Sequence, residues 1–343
     1  MINRLASIRP GIKNIDDLRA HLQIAIELEH STIPPYLCAL YSIPDGMNVQ
    51  AAQVIRSVVM EEMLHLTLAA NILNAIGGSP DLDNPDFIPG YPTRLPDSSA
   101  HFKVHLERFS KRAIKTFMKL ERPAKAGAMP EADNYQTIGQ FYAAIEKGLK
   151  EICRHNRHFN RDRSIQVKPE HYYGGGGGVI VVDDLDSAME AIKVIVAQGE
   201  GLDHTLFDGD RKIFGENREF AHYYRFNEIR RERFYSDHDS VKSNPSGAPL
   251  TVDWDQVYPM KINPRAADYP EGSELRRKSD EFNVGYTTLL KNLHDTFNGR
   301  PDWMMKSVGD MYKLKYLAVE LMRVPCNDKG ETAGPAFEYQ KAE

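Results

Sequence analysis

Two glutamates and a histidine are spaced for metal chemistry. Glu29 lies in LEHSTIPPY, Glu62 and His65 lie in EEMLHLTLAANILNAIGG, and the turn SIPDGMN at 42–48 separates the two segments. The point midway between Glu29 and Glu62 falls at Asp45 and Gly46, inside that turn. In an antiparallel helical hairpin, residues equidistant from the turn come level. Glu29 therefore faces Glu62, and His65 follows one helical turn along the same face. A Glu from one helix beside a Glu-x-x-His from the next is half of a carboxylate-bridged two-metal site in a four-helix bundle.

The elements that must position these groups are legible in the apolar periodicity. Helix one carries Leu18, Leu22, Ile26, Ile33, Leu37 and Leu40 on one stripe with Glu29 among them. Helix two carries Ile55, Val58, Leu66, Ala69, Leu73 and Ile76 with Glu62 and His65. A carboxylate on a buried stripe is costly unless paired or ligated, and three such groups at one depth point to a common partner. The plainer alternatives are a buried carboxylate–histidine hydrogen-bond network, or helices rotated so that the groups meet solvent. Glu27 and Glu61 lie off the stripes and are expected in solvent. The pattern predicts helix one over about 15–41. Pro34 and Pro35 are expected to kink it and to open the bundle beside the site. Helix two is predicted over about 49–76, stopping at Gly77-Gly78.

Beyond the hairpin, 101–120 and 137–160 read as helices. In the latter, Phe141, Ile145, Leu149 and Ile152 form a face with Glu146 beside it. Glu146 is either the third-helix carboxylate or a surface glutamate paired with Lys150 at i,i+4. HYYGGGGGVIVVDD follows. Its five glycines, 174–178, do not support regular structure and read as a loop or a lid that brings Tyr172 and Tyr173 over a pocket. It lacks the Gly-Lys-Ser/Thr of a phosphate loop, and VIVV reads as a short strand. A fourth helix is predicted over 186–199, ending in QGEG with Glu200 at its break. EFAHYYRFNEI reads as a helix in which Glu219-x-x-His222 repeats the earlier spacing. The metal set thus closes with His222 and either Glu200 or Glu219, and spacing alone favours Glu219. Residues 237–273 form a Pro/Gly-rich belt. Two helices follow at about 274–297 and 301–322, joined by Asn298-Gly299 and therefore antiparallel. The expected organisation is a bundle with inserted loops over 1–236, with the belt and C-terminal helix pair, 237–343, packed on it.

Composition bounds the function. The chain has 343 residues, 41% of them hydrophobic, and a net charge of −5, which argues against a dedicated nucleic-acid surface. Its basic runs at 154–163 and 230–233 read as solvated faces. No apolar run approaches the roughly 20 residues that span a bilayer, and MINRLASIRPGIKN lacks an apolar signal core. The three cysteines, Cys38, Cys153 and Cys326, form no Cys-x-x-Cys. They fit reduced thiols in a cytoplasm rather than a disulfide framework or a structural zinc site.

LEHSTIPPYLCALYSI, EEMLHLTLAANILNAIGG, QGEG, HYYRFNEI, FNVGYTTLLKNLHDTFNG and the closing AGPAFEY resemble the ferritin-like proteins of the iminophenylpyruvate-dimer-synthase type, found in the violacein and rebeccamycin pathways. The first hairpin also resembles that of bacterioferritin, where a helix-one Glu, a helix-two Glu-x-x-His and a tyrosine seven residues after the first Glu line the site. Glu29, Glu62, His65 and Tyr36 match those positions. The resemblance implies an all-α, ferritin-like four-helix bundle with long loop insertions. It also shifts the fourth-helix preference from Glu219 to Glu200, so the expected metal set is Glu29, Glu62, His65, Glu146, Glu200 and His222, with Tyr36 as a catalytic or redox neighbour. Carboxylates and imidazoles suit two iron ions, or manganese or a mixed pair. The implied activity is a non-haem di-iron oxidase or oxygenase using dioxygen on a small aromatic or amine- or imine-bearing metabolite. A metal-binding or redox-sensing protein with no organic substrate is the alternative. Association into a homo-oligomer is left open. The pathway enzymes couple two imines oxidatively and are considerably longer, so that coupling is not carried across.

Overall fold

Asn14 opens the first helix. Its side chain accepts from the backbone N–H groups of Asp16 and Asp17, whose acidic side chains sit in the first turn, where the helix dipole favours them. The computed structural model describes residues 11–94, 102–123, 137–160, 162–201, 205–211 and 218–341. In it α1 (Ile15–Tyr41) leads through the predicted turn into α2 (Val49–Ala75). The described residues add α3 (Lys111–Leu120), α4 (Ile138–Ile152), α5 (Leu185–Glu200), α6 (His222–Arg231), α7 (Glu274–Phe297) and α8 (Met304–Met322). The one described sheet pairs β1 (Phe207–Arg211) with β2 (Arg218–Phe220), antiparallel, with Phe207 opposite Phe220.

Helices α1, α2, α5 and α4 touch in that cyclic order and make a four-helix bundle. Beside it α3 packs on α6, and the α7–α8 pair lies against α1 and α2. One apolar core runs through all of this, joining Leu22 and Leu66 of the bundle to Leu250, Tyr269, Phe282 and Leu290. Apart from the short sheet, the described elements are helical and built around a four-helix bundle, the architecture the sequence resemblance implies. No described helix is long and apolar enough to cross a membrane.

Several local expectations change. Residues 102–110 are not helical: Val104 pairs with Thr93, and α3 starts only after Ser110, whose side chain caps it. Residues 179–182 form no strand. The Gln166 side chain brackets Val182 instead, donating to its C=O at 2.6 Å and accepting from its N–H at 2.8 Å. EFAHYYRFNEI divides into β2, which holds Glu219, and α6, which begins at His222. Glu219 and His222 therefore share no helical face. Glu27 and Glu61, expected in solvent, are both buried. Pro34 and Pro35 sit inside α1 without ending it. Pro35 has no N–H to offer the Ser31 carbonyl, and Tyr91 Oη donates to that carbonyl at 2.8 Å.

The glycine run is a packed strap rather than a lid. Gly176 has φ +77°, and a Cβ there would lie 2.7 Å from the Met60 carbonyl oxygen and 2.8 Å from Glu61 Cα, on the backbone of α2. Only glycine meets both conditions. Gly176→Ala is expected to lower unfolding stability by at least about 2 kcal/mol, from the left-handed conformation plus displacement of the strap. Gly178→Ala, facing open space, should be nearly neutral. Equal denaturation midpoints for the two variants would show that the strap is not seated on α2.

Candidate metal centre

Glu29, Glu62 and His65 converge as the hairpin spacing requires. All three are buried, and His65 Nδ1 lies 3.3 Å from Glu29 Oε2. A second trio joins at Glu62, where His222 Nδ1 approaches Glu62 Oε1 at 3.0 Å and Glu121 Oε2 at 3.4 Å. Within each trio, Glu29–Glu62–His65 and Glu62–Glu121–His222, one donor atom per residue lies within 4.8 Å of the others. Glu62 belongs to both.

Close carboxylates crowd this cluster, as at a site able to hold a cation. Burial, then the charge of Glu121, pushes the Glu62 carboxyl well above the ordinary range. Burial also pushes Glu29 up, but contacts with His65, Glu62 and Tyr142 more than reverse this, leaving it below the ordinary value. Burial lowers the His222 imidazole, and the carboxylates of Glu121, Glu61 and Glu62 carry it well above its usual value. His222 Nδ1 is near two carboxylates yet makes no hydrogen bond of acceptable geometry. An orphaned nitrogen in a fully buried ring calls for another partner. Its other nitrogen, Nε2, is held by Glu61 Oε2 at 2.9 Å, an arrangement that presents Nδ1 as a metal donor. The residues thus fit metal binding through carboxylate and imidazole donors.

A second layer orients these donors. Tyr142 of α4 donates to Glu29 Oε1 at 2.5 Å, and Thr32 donates to Glu62 Oε2 at 3.1 Å. Gln198 of α5 contacts His65 Nε2 through Oε1 at 2.8 Å, while its Nε2 donates at 2.8 Å to the carbonyl of Gly176 in the strap. Tyr36 donates to Glu121. Burial, followed by nearby carboxylates, raises Tyr36 and Tyr142 well above the usual phenol value, so both remain protonated donors. Glu61 is locked by Arg225, whose Nη1 and Nη2 donate to its two oxygens at 2.8 and 2.7 Å. Arg225 Nη2 also reaches Asp208 at 2.6 Å, and Nη1 lies 3.5 Å from Glu219. Burial pushes Glu61 up, but Arg225 and His222 hold it down to about 2.

The predicted donors divide accordingly. Glu29, Glu62, His65 and His222 come together. Glu146 does not: the buried face of α4 is Phe141, Tyr142, Ile145 and Leu149, and Glu146 at its rim pairs with Lys150 at 2.5 Å. Glu219, the reserve choice, faces Arg225. Glu200 ends α5, and its side chain lies outside the described residues. The carboxylate that sequence reasoning missed is Glu121, at the C-terminus of α3. A signal existed, since Ile114, Phe117, Met118 and Glu121 stand at i, i+3, i+4 and i+7 before Arg122-Pro123. Glu121→Ala is expected to reduce bound metal severalfold, whereas Glu146→Ala leaves it unchanged. Metal analysis giving the reverse order would return Glu146 to the ligand set.

A cavity of about 30 Å³ reaches the cluster between the end of α3, the start of α4 and the end of α5, past Arg122, Ile138, Gly139, Val196 and Gly199. It does not open on the Pro34 side. The aromatic residues expected as its walls lie elsewhere. The Tyr36 ring meets Phe117 edge-on and packs tilted against Phe226, centroids 4.5 and 5.3 Å away. Tyr172 and Tyr173 hydrogen-bond each other at 3.3 Å, and Tyr173 lines a different cavity.

Comparison with known proteins agrees with this architecture. The chain is 26% identical over 324 residues to the dichlorochromopyrrolate synthase of Lentzea aerocolonigenes, an overlap of 83% of this chain and 29% of that protein. It therefore spans less than a third of that relative's length. The crystal structure of a ferritin-like protein from Caulobacter vibrioides matches with a TM-score of 0.63 at 23% identity, covering 96% of this chain and 100% of that one, and it shares the fold. A ferritin-like family model matches residues 22–231, well over half of the sequence, and the chain belongs to the ferritin-like family.

Proposed function

We propose that this protein is a non-haem di-metal oxidase, with iron as the preferred metal, acting with dioxygen on a small aromatic or amine-bearing metabolite. The observation that carries the reading is the sharing of Glu62 between two buried trios, the arrangement of a bridging carboxylate. Glu29 and His65 would hold one ion, Glu121 and His222 the other, and Glu200 is proposed as a further donor from the end of α5. A reduced pair of this kind supplies two electrons to dioxygen. The chain's own contribution is positioning. Tyr142, Thr32, Gln198 and Tyr36 fix the donor atoms, Glu61 holds the proton on His222 Nε2, and the apolar side chains of Ile138, Ile195 and Val196 limit water at the cavity. Tyr36 touches Glu121 and is proposed to act through it. The named activity of the Lentzea aerocolonigenes relative, a synthase, supports an organic substrate.

One observation favours a second reading, oxygen or redox sensing without an organic substrate. A space of about 30 Å³ suits one or two molecules the size of water, far below the 300–1,000 Å³ of typical small-molecule sites. Oxygen uptake by the anaerobically iron-loaded protein separates the two. Uptake that becomes catalytic with an aromatic amine or imino acid, with an oxidised product, supports the oxidase. A single stoichiometric consumption across a panel of such compounds, with no organic product, replaces it with the sensor.

A further inference from the structure

A second cavity among the described residues lies apart from the donor cluster. It lies between the α1–α2 hairpin and the α7–α8 pair, with a volume of about 340 Å³, within the range of small-molecule sites. Along α1 its lining runs from His30 to Tyr41, and at 1.5 Å per residue that is about 16 Å. Along the second helix the lining runs from Val49 to Leu66, about 25 Å, too long for a compact void of this volume, so the space is drawn out along the helices.

The two ends differ in chemistry. At the inner end, His30 Nε2 and Tyr286 Oη bond each other at 2.7 Å, beside Leu66, Leu290 and Leu293. The rest of the lining is largely apolar and includes Met60, Met63 and Met311, side chains that adapt to a ligand's shape. The cations gather at the outer end, near the 42–48 turn. Arg56 lines the wall there and forms no ion pair among the described residues, and Lys315 pairs with Asp45 at 2.8 Å. The same mouth exposes Met47, Val49 and Tyr312, which are 41%, 50% and 68% accessible, half of the exposed large hydrophobic residues among those described. Exposed apolar side chains grouped around a concave opening mark a binding site rather than scattered surface.

We infer that this cavity binds an amphipathic carboxylic acid, with an acyl chain of about a dozen carbons along α1 and its carboxylate at Arg56. The elongated apolar bore selects the chain, and the cationic mouth selects the acid. The site stands apart from the cluster, because its α1 residues His30, Ile33 and Leu37 lie on a different face from Glu29 and Tyr36. It does not depend on the proposed oxidation.

The test uses the full-length protein and cis-parinaric acid, whose fluorescence rises in an apolar site, with dodecanoate and dodecanol as competitors. The expected result is saturable binding in the micromolar range, displaced by dodecanoate at least about tenfold more effectively than by dodecanol. Arg56→Glu, at an exposed position, should weaken dodecanoate at least about tenfold while leaving metal content unchanged. Ala52→Trp, which fills the bore, should abolish binding in protein that retains its helical circular dichroism. Absence of saturable binding, or unchanged binding in Ala52→Trp, overturns the site. Equal competition by dodecanol, or no effect of Arg56→Glu, overturns the assignment of an acid.

Discussion

Protein carrying Glu62→Gln is expected to fold normally and, on the proposed di-metal reading, to lose both ions. Glu62 is the one residue present in both donor trios, so its removal takes a ligand from each ion. Burial and Glu121 drive its carboxyl toward the neutral form in the metal-free protein. The amide keeps that charge state and nearly the same volume, so the metal-free fold should be as stable as before. The fall in metal affinity should exceed the 10–100-fold typical of losing an outer-layer partner. Single changes at Glu29 or His222 should be milder and should weaken one ion more than the other. Elemental analysis after reconstitution under limiting iron measures this directly. Near-full occupancy of both ions in Glu62→Gln would remove the bridging role and the functional proposal built on it.

Arg225→Ala should produce the largest loss of stability of any single change outside the bundle helices. Arg225 is 3% exposed and pairs with Glu61, Asp208 and Glu219. Its removal takes from the buried Glu61 the guanidinium that grips both of its oxygens, a defect of about 3–5 kcal/mol in comparable pairs. The consequence reaches the metal cluster, because Glu61 would no longer be held against His222 Nε2. Arg225→Lys keeps the charge but lacks the planar fork that grips both Glu61 oxygens, so an intermediate loss is expected. Urea unfolding of the three proteins checks the order. A cost below about 1 kcal/mol for Arg225→Ala would mean that the acidic trio finds another cation or takes up protons at little expense.

These two residues illustrate how unevenly the site was legible. Glu62 could be read without a structure because helical period and a short turn are local properties. Counting outward from Asp45 and Gly46 puts Glu29, Glu62 and His65 at one depth, whatever packs around them. The first two helices were therefore placed to within a residue or so, and the all-α class followed from the same periodicity together with the family resemblance. The glycine stop of α2 is local in the same sense.

What local pattern could not settle was which distant element faces the hairpin. Spacing offered Glu146 as a third-helix carboxylate, with His222 and either Glu200 or Glu219 closing the set. In the folded chain, α4 and α5 turn Tyr142 and Gln198 toward the donors, while Glu121 and His222 arrive from helices outside the four-helix bundle. Helix rotation is set by the packing of whole faces, so a residue one step off the apolar arc, such as Glu146, ends at the rim. The same reason hid Glu61. It lies off its helix's apolar stripe, but α6 and the β1–β2 pair cover that side and bring Arg225 to meet it. The glycine run offered only the absence of side chains. That this absence serves a close approach to the α2 backbone, rather than freedom to move, depends on what lies against it, and only the tertiary structure decides that.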